Sequence, residues 1–173
     1  MILSLWDDLV SDRGLREALK AVHDDFRLID RSTFYWYPRT SGQPGRPGNP
    51  IETLAEIVVA TVSLPGLAGV EYWTNSLGAG EIMHPHVDKD EKLYWTSKEF
   101  RHPDISTVYY PGQLPFTGGR LVIDRRHLVS PGPNQLAAFR GTLEHGVQKV
   151  KSGTRHSIAL NLWSTTPSAY QAN

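Results

Sequence analysis

"GEIMHPHVDKDE", residues 80–91, sets His84, His86 and Asp88 at alternate positions. If the segment is extended, all three side chains project from one face of a sheet, because successive Cβ atoms along a strand point to opposite sides. Outward from it, the chain from Val70 onward is a series of short β-rich runs separated by turn residues: VEYWTNSL, EIMHPHVD, ISTVYYP, GRLVIDR, QLAAFRG, HGVQKVK and RHSIALNLW. Seven or eight short strands of this kind predict an antiparallel sandwich or barrel, with a jelly roll (double-stranded β-helix) as the architecture.

Before Val70 the pattern is helical. Leu15, Ala18, Leu19, Val22 and Phe26 recur at helical spacing behind the capping candidates Ser11 and Asp12. In NPIETLAEIVVATV, Asn49 is a cap and Pro50 suits the first helical position. Glu52 completes a capping box, and Ile51, Leu54, Ala55, Val58 and Val62 form the apolar stripe. The intervening PRTSGQPGRPGNP is rich in glycine and proline and lacks the GxxxxGK[ST] order of a phosphate loop, so it reads as a solvated connector. The 173 residues suit one domain: residues 1–69 as helical support with a Gly/Pro-rich loop, and residues 70–165 as the β core.

Composition narrows the function. Eighteen basic residues balance eighteen acidic ones, so no global field attracts nucleic acid or an acidic membrane, and a partner must be recognised locally. Cysteine is absent, which excludes a thiolate metal site and accords with a reducing, cytoplasmic setting. MILSLWDDLV is apolar only briefly and is interrupted by Asp7 and Asp8, unlike a secretory signal or a membrane span. A metal would have to use imidazole and carboxylate.

His86 and Asp88 supply one imidazole and one carboxylate, two thirds of the facial triad that holds non-haem iron with positions left open. His145, on a later strand, is the candidate for the third ligand. Ten residues beyond it stands Arg155, and Ser157 shares its strand face. A planar guanidinium fork with a hydroxyl beside it suits a carboxylate, so the pair reads as an anchor for a dicarboxylate cosubstrate. His84 leaves a rival open: His84, His86 and His145 as a three-histidine site of the cupin kind, without that cosubstrate. Gly78, His84, His86 and Glu91 fall near the first cupin signature, but the second is missing before His145.

The order His-x-Asp, distal His and Arg-x-Ser resembles the Fe(II)- and 2-oxoglutarate-dependent oxygenases, in particular their prolyl-hydroxylase-like branch. STVYYPG, TGGRLVI and LAAFRGTLEHGV are similar to further strands of that branch, and the resemblance runs from about Val70 to Trp163. It implies that His86, Asp88 and His145 bind Fe(II), and that Arg155, with Ser157 and Tyr110 in support, binds 2-oxoglutarate. It further implies that dioxygen (O2) is consumed to hydroxylate a C–H bond of a small-molecule or peptidyl substrate, releasing succinate and CO2. Tyr109 and Tyr110 would exchange roles on a one-residue register slip. Pro111 and Gly112 depart from the Leu-Asn often found there. His84 is left as a substrate-facing or supporting residue, and Asn161, polar on a face expected to point inward, as a further contact. DKDEKLYWTSKEFRHPD reads as a solvated loop or, through Tyr94 and Trp95, as a lid over the substrate. His23, His102, His127 and His156 are expected on the surface or on helix faces.

Overall fold

A computed structural model describes residues 2–27, 34–39, 43, 45–112 and 115–171. Among the described residues the strands and α-helices follow in chain order: β1 (Leu3–Trp6), α1 (Arg13–Ala21), β2 (Tyr35–Pro38), α2 (Pro50–Val62), β3 (Gly69–Leu77), β4 (Met83–His86), α3 (Glu91–Ser97), β5 (Ile105–Tyr110), β6 (Phe116–Gly118), β7 (Leu121–Ile123), β8 (His127–Val129), β9 (Gln135–Arg140), β10 (His145–Val147), β11 (Val150–Gly153) and β12 (Arg155–Trp163). Six strands form one antiparallel sheet in the order β1-β9-β5-β12-β3-β2, and four form a second in the order β4-β10-β7-β8. Strands β6 and β11 pair as a separate ribbon. The architecture is the expected double-stranded β-helix with helices outside.

Both predicted helices form where their caps place them. Asp12 accepts from the Leu15 amide to start α1, and Asn49 accepts from the Glu52 amide at 3.0 Å to start α2. The capping box is altered: Glu52 takes the amide of Gly48 (2.6 Å) and the Tyr72 hydroxyl (2.9 Å), so it ties the helix to the sheet. The apolar stripes of the helices meet one face of the six-stranded sheet. Leu19, Ile51, Leu54, Ala55 and Val58 bury against Val70, Tyr72, Tyr109, Leu136, Ile158, Leu160 and Leu162. A smaller core of Leu121, Ile123, Val129, Ala137 and Phe139 fills part of the space between the two sheets.

The N-terminal third contributes more than helices. Strand β1, which local sequence marks only as briefly apolar, pairs with β9 (Leu3 opposite Phe139), and β2 pairs with β3 (Tyr37 opposite Val70). HGVQKVK divides into β10 and β11. Of the Gly/Pro-rich connector, residues 40–42 and 44 lie outside the described residues; Arg39 and the Gly45 amide on either side are both held by Glu56, at 2.7 and 3.1 Å. Among the described residues no helix is long and apolar enough to cross a membrane.

Asn134 joins the N-terminal segment to the sheet. Its Oδ1 accepts from the Val10 amide (3.0 Å) and the Tyr109 hydroxyl (2.9 Å), and its Nδ2 donates to the Val10 carbonyl (3.1 Å). Its φ of 56° lies in the left-handed region, which asparagine tolerates better than most residues. Asn134→Ala strands buried groups on both partners and strains the backbone, and is expected to lower stability by about 2–4 kcal/mol. Urea unfolding of the two proteins measures it; a change under 1 kcal/mol, about the worth of a single hydrogen bond, would show that the segment is held elsewhere.

Candidate active site

Strand β12 organises the site because it is buried along almost its whole length. Ile158, Leu160 and Leu162 join the core beneath the helices, while Arg155, Ser157, Ala159 and Asn161 line a cavity of about 480 Å³ between the two sheets. Strand register extends each position into a row across the floor. Asn161 lies beside Ser106 and Glu71, and Ala159 beside Val108 and Trp73. Ser157 lies beside Asn75, and Arg155 ends the series. The floor is therefore polar at one end, apolar in the middle and cationic at the other end.

His86 and His145 meet because β4 and β10 pair directly, with these two residues as register partners. The pairing is irregular. Met83 pairs with Val147, so three steps along β4 match two along β10, which is a β-bulge. Strict alternation from His84 to Asp88 does not hold, and Asp88 lies beyond the end of β4. This corrects the shared-face expectation for His84: its ring is exposed and stands outside the cluster, although it borders the cavity and its carbonyl accepts from His86 Nδ1 at 2.9 Å. Gly146 makes the close approach possible, since a Cβ there would stand 2.7 Å from the Met83 carbonyl oxygen.

His86, Asp88 and His145 each present one ligand atom, and these atoms lie within 4.8 Å of one another. The Nε2 atoms of His86 and His145 are 3.8 and 3.6 Å from the two carboxylate oxygens of Asp88. Both Nδ1 atoms face backbone carbonyls, of His84 (2.9 Å) and Leu143 (3.1 Å), which selects the tautomer with the Nε2 lone pair free for a metal. Burial holds His145 below the usual histidine range, outweighing the opposing pull of Asp88. A neutral imidazole is the form that ligates. Ser106 donates to Asp88 Oδ2 at 2.8 Å, and His102 Nδ1 reaches the Asp88 carbonyl at 2.7 Å. The donor set, two nitrogens and one oxygen on one side, fits an Fe(II)-type ion with open coordination positions.

Arg155 is 1% exposed, and no carboxylate pairs with it among the described residues. Its guanidinium donates instead to neutral oxygens: the Gly119 carbonyl (3.0 Å), Ser157 Oγ (3.0 Å) and the Tyr110 hydroxyl (3.2 Å). Gly119, at φ 61°, turns its carbonyl onto Arg155. The register question between the tyrosines is resolved by their partners. Tyr110 meets Arg155, whereas Tyr109 belongs to the core under the helices and bonds Asn134. Burial raises the Tyr110 phenol, while Arg155 opposes that rise, so the group stays neutral.

Of the other sequence candidates, Asn161 is 2% exposed and borders the cavity. Tyr94 and Trp95 do not border it, and the lid reading fails for them. Asp90 caps α3 and Lys98 ends it in a left-handed conformation, so the middle of the expected loop is a short helix. Tyr94 packs on Phe100, and Trp95 is 63% exposed. Sequence reasoning missed Ser106, His102 and Glu71. Three of the histidines expected on surfaces or helix faces are engaged: His102 as above, His23, which is buried against Ser76 Oγ at 2.8 Å, and His156, whose Nδ1 lies 3.3 Å from the same hydroxyl. Glu71 falls on β3, a run read only for its β character, and nothing local marks it as buried.

No family model matches the sequence, and no curated protein is detectably similar to it. Solved structures do share its fold. An oxidoreductase of the 2OG-Fe(II) oxygenase family from Burkholderia pseudomallei superposes with a TM-score of 0.62 at 12% identity, over 98% of this chain and 89% of that one. The viral collagen prolyl hydroxylase of Paramecium Bursaria Chlorella virus-1, solved as a 2OG complex, gives 0.64 at 14% identity, over 96% and 97%. A prolyl hydroxylase from Trichoplax adhaerens, solved with a hypoxia inducible factor peptide fragment, gives 0.62 at 13% identity, over 99% and 87%. The chain therefore has the fold of the 2OG-Fe(II) oxygenases and prolyl hydroxylases over nearly its whole length.

Glu71 carries a measurable signature. Burial, reinforced by the charges of Asp88 and Asp90, raises its carboxyl to about 8 against an ordinary 4.5. The unfolded chain releases this proton near 4.5 while the folded chain keeps it to about 8, so stability is full at low pH and is lost as pH rises through that window. Glu71→Gln removes that slope. The difference in unfolding free energy between variant and wild type is expected to grow by about 2–4 kcal/mol between pH 5 and 8 in metal-free protein. A pH-independent difference would show that Glu71 is already ionised in the fold.

Proposed function

We propose that this protein is an Fe(II)- and 2-oxoglutarate-dependent oxygenase that hydroxylates a C–H bond of a small-molecule or peptidyl substrate. The observation that carries the reading is a buried Arg155, without a carboxylate partner among the described residues, in the same cavity as a cluster of two histidines and an aspartate. An unpaired buried guanidinium is costly in an empty cavity, and an anionic ligand removes that cost. The fold shared with 2OG-Fe(II) oxygenases supports the same conclusion. The peptide in the Trichoplax adhaerens structure supports keeping a polypeptide among the substrate classes.

His86, Asp88 and His145 would hold the iron. When bound, iron supplies the redox chemistry that couples reduction of O2 to oxidative decarboxylation of 2-oxoglutarate, with succinate and CO2 as products, and to substrate hydroxylation. The chain's own part is positional. Arg155 clamps the distal carboxylate of 2-oxoglutarate in a two-pronged pair, with Ser157 and the neutral Tyr110 hydroxyl as flanking donors. Ser106 and His102 fix Asp88, and the two backbone carbonyls fix the imidazoles. Val108, Trp73, Leu121, Phe139 and Val147 give the cavity apolar walls that exclude water.

Fe(II) and 2-oxoglutarate mixed with the protein without oxygen should give the visible charge-transfer absorption of a chelated 2-oxo acid, and titration of that band measures affinity. Arg155→Ala leaves a buried carboxylate unpaired, a loss of about 2–5 kcal/mol, or roughly thirty-fold to a few thousand-fold weaker 2-oxoglutarate binding. Arg155→Lys, which keeps charge without the fork, should fall between. Iron affinity should be unchanged in both. Wild-type affinity in Arg155→Ala, or no band in any variant, overturns the assignment.

A further inference from the structure

The cavity has a second pole that the iron and cosubstrate reading leaves unused. At the end of the floor away from Arg155, Glu71 is 6% exposed and borders the cavity. Its Oε1 accepts from Tyr170 at 3.1 Å, and no cation pairs with it among the described residues. Beside it, on β12, Asn161 is 2% exposed, borders the cavity, and makes no side-chain hydrogen bond to any described residue. A buried amide left open toward a cavity calls for a ligand that completes its bonds. Two residues along β3 from Glu71, on the same face, Trp73 packs edge-on against Phe34 at 4.8 Å, and both rings also border the cavity.

The electrostatics of this pole are one-sided. Among the described residues the charges felt by Glu71 are those of Asp88 and Asp90, and Tyr170 and the Trp163 indole face it as neutral donors. Asp90 has its own compensation in the Leu93 and Ser168 amides and in Arg101 at 3.7 Å. Lys89, the other cation bordering the cavity, is committed to Glu91 at 2.8 Å. The cavity is thus polarised along its length, with the Arg155 guanidinium at one end and, at the other, a Glu71 carboxyl that a bound cation would ionise. An arriving positive charge supplies the countercharge that Glu71 lacks among the described residues, and the faces of Trp73 and Phe34 favour a cation beside them.

We propose that the Glu71–Asn161 pole binds a protonated nitrogen of the substrate, a primary ammonium or a guanidinium. The proposal names the substrate class of the oxygenase reading and rests on it. Glu71 accepts from the N–H donors, the Asn161 carbonyl accepts a second, and the aromatic pair flanks the alkyl stem. A neutral analogue forfeits the charge pairing and is discriminated against. The nitrogen belongs either to a free amino compound or to a lysine or arginine side chain in a polypeptide. The chemistry at the pole is the same for both.

The test is direct binding, read by ligand-observed NMR on metal-free protein with and without 2-oxoglutarate. The probes are n-butylammonium against 1-butanol and n-butylguanidinium against n-butylurea, pairs alike in shape and different in charge. The cations should bind at least about tenfold more tightly than their neutral counterparts. Glu71→Gln should abolish the preference while 2-oxoglutarate binding persists, and Asn161→Asp, which adds a charge at the same pole, should increase it. Free lysine against an N-acetylated, C-amidated Gly-Lys-Gly peptide then separates the two sources by which binds better. Equal binding of charged and neutral probes, a preference that survives Glu71→Gln, or no binding of any probe overturns the proposal. Binding of 2-oxoglutarate without a cation preference sinks this inference alone. A Glu71-dependent cation preference in a protein that gives no 2-oxoglutarate band with Fe(II) sinks the oxygenase reading and leaves the cation pole standing.

Discussion

The structure depends on one strand being buried on both faces. β12 pairs over all nine of its residues with β3 and over five with β5, so its register is held along its whole length and from both sides at Ile158–Leu162. Its two faces then serve opposite ends. One is aliphatic and anchors the helices; the other carries a guanidinium, a hydroxyl, a methyl and an amide into a cavity where water is scarce. A slip of one residue would drive Arg155 under the helices and Ile158 into the site, an exchange so unfavourable that the hydrophobic pattern fixes the cavity chemistry along with the fold.

This coupling explains what could be read from the sequence. The period-2 run in β12 and the capped stripes of α1 and α2 are local signals, and they identified both the architecture and the Arg155–Ser157 face. His86, Asp88 and His145 were legible as a set because their side-chain chemistry is rare in combination. Strands β1 and β2 were not legible: four residues each, they acquire strand conformation from partners more than a hundred residues away in the first case and about thirty in the second. Glu71 was invisible for a related reason. A glutamate in a strand ordinarily faces solvent, and only the register with Asn161, the cover of Tyr170 and the stacking of Tyr170 on Trp36 at 5.1 Å remove it from water.

Asp88 shows how the two ends of the cavity are kept distinct. Its carboxylate is bonded by Ser106 on the floor and approached by both imidazoles, so its charge is spoken for within the cluster. Glu71, one row element away from that same serine through Asn161, has only neutral donors beside it among the described residues, the Tyr170 phenol and the Trp163 indole. The two carboxyl groups are thereby differentiated by their neighbours: Asp88 is engaged within the cluster, while Glu71 stays protonated until something positive arrives.

The bulge in β4 bears on how the protein tolerates change over evolutionary time. Because one surplus residue between Met83 and His86 brings His86 opposite His145, the spacing of that short segment is as much a part of the metal cluster as the ligands are. Substitutions at His84 or Ile82 leave the count intact. Removing a single residue there would straighten the strand and turn His86 away from its partner while leaving the sheets and both helices untouched. Lineages of this fold should therefore vary freely in the composition of the segment and hardly at all in its length.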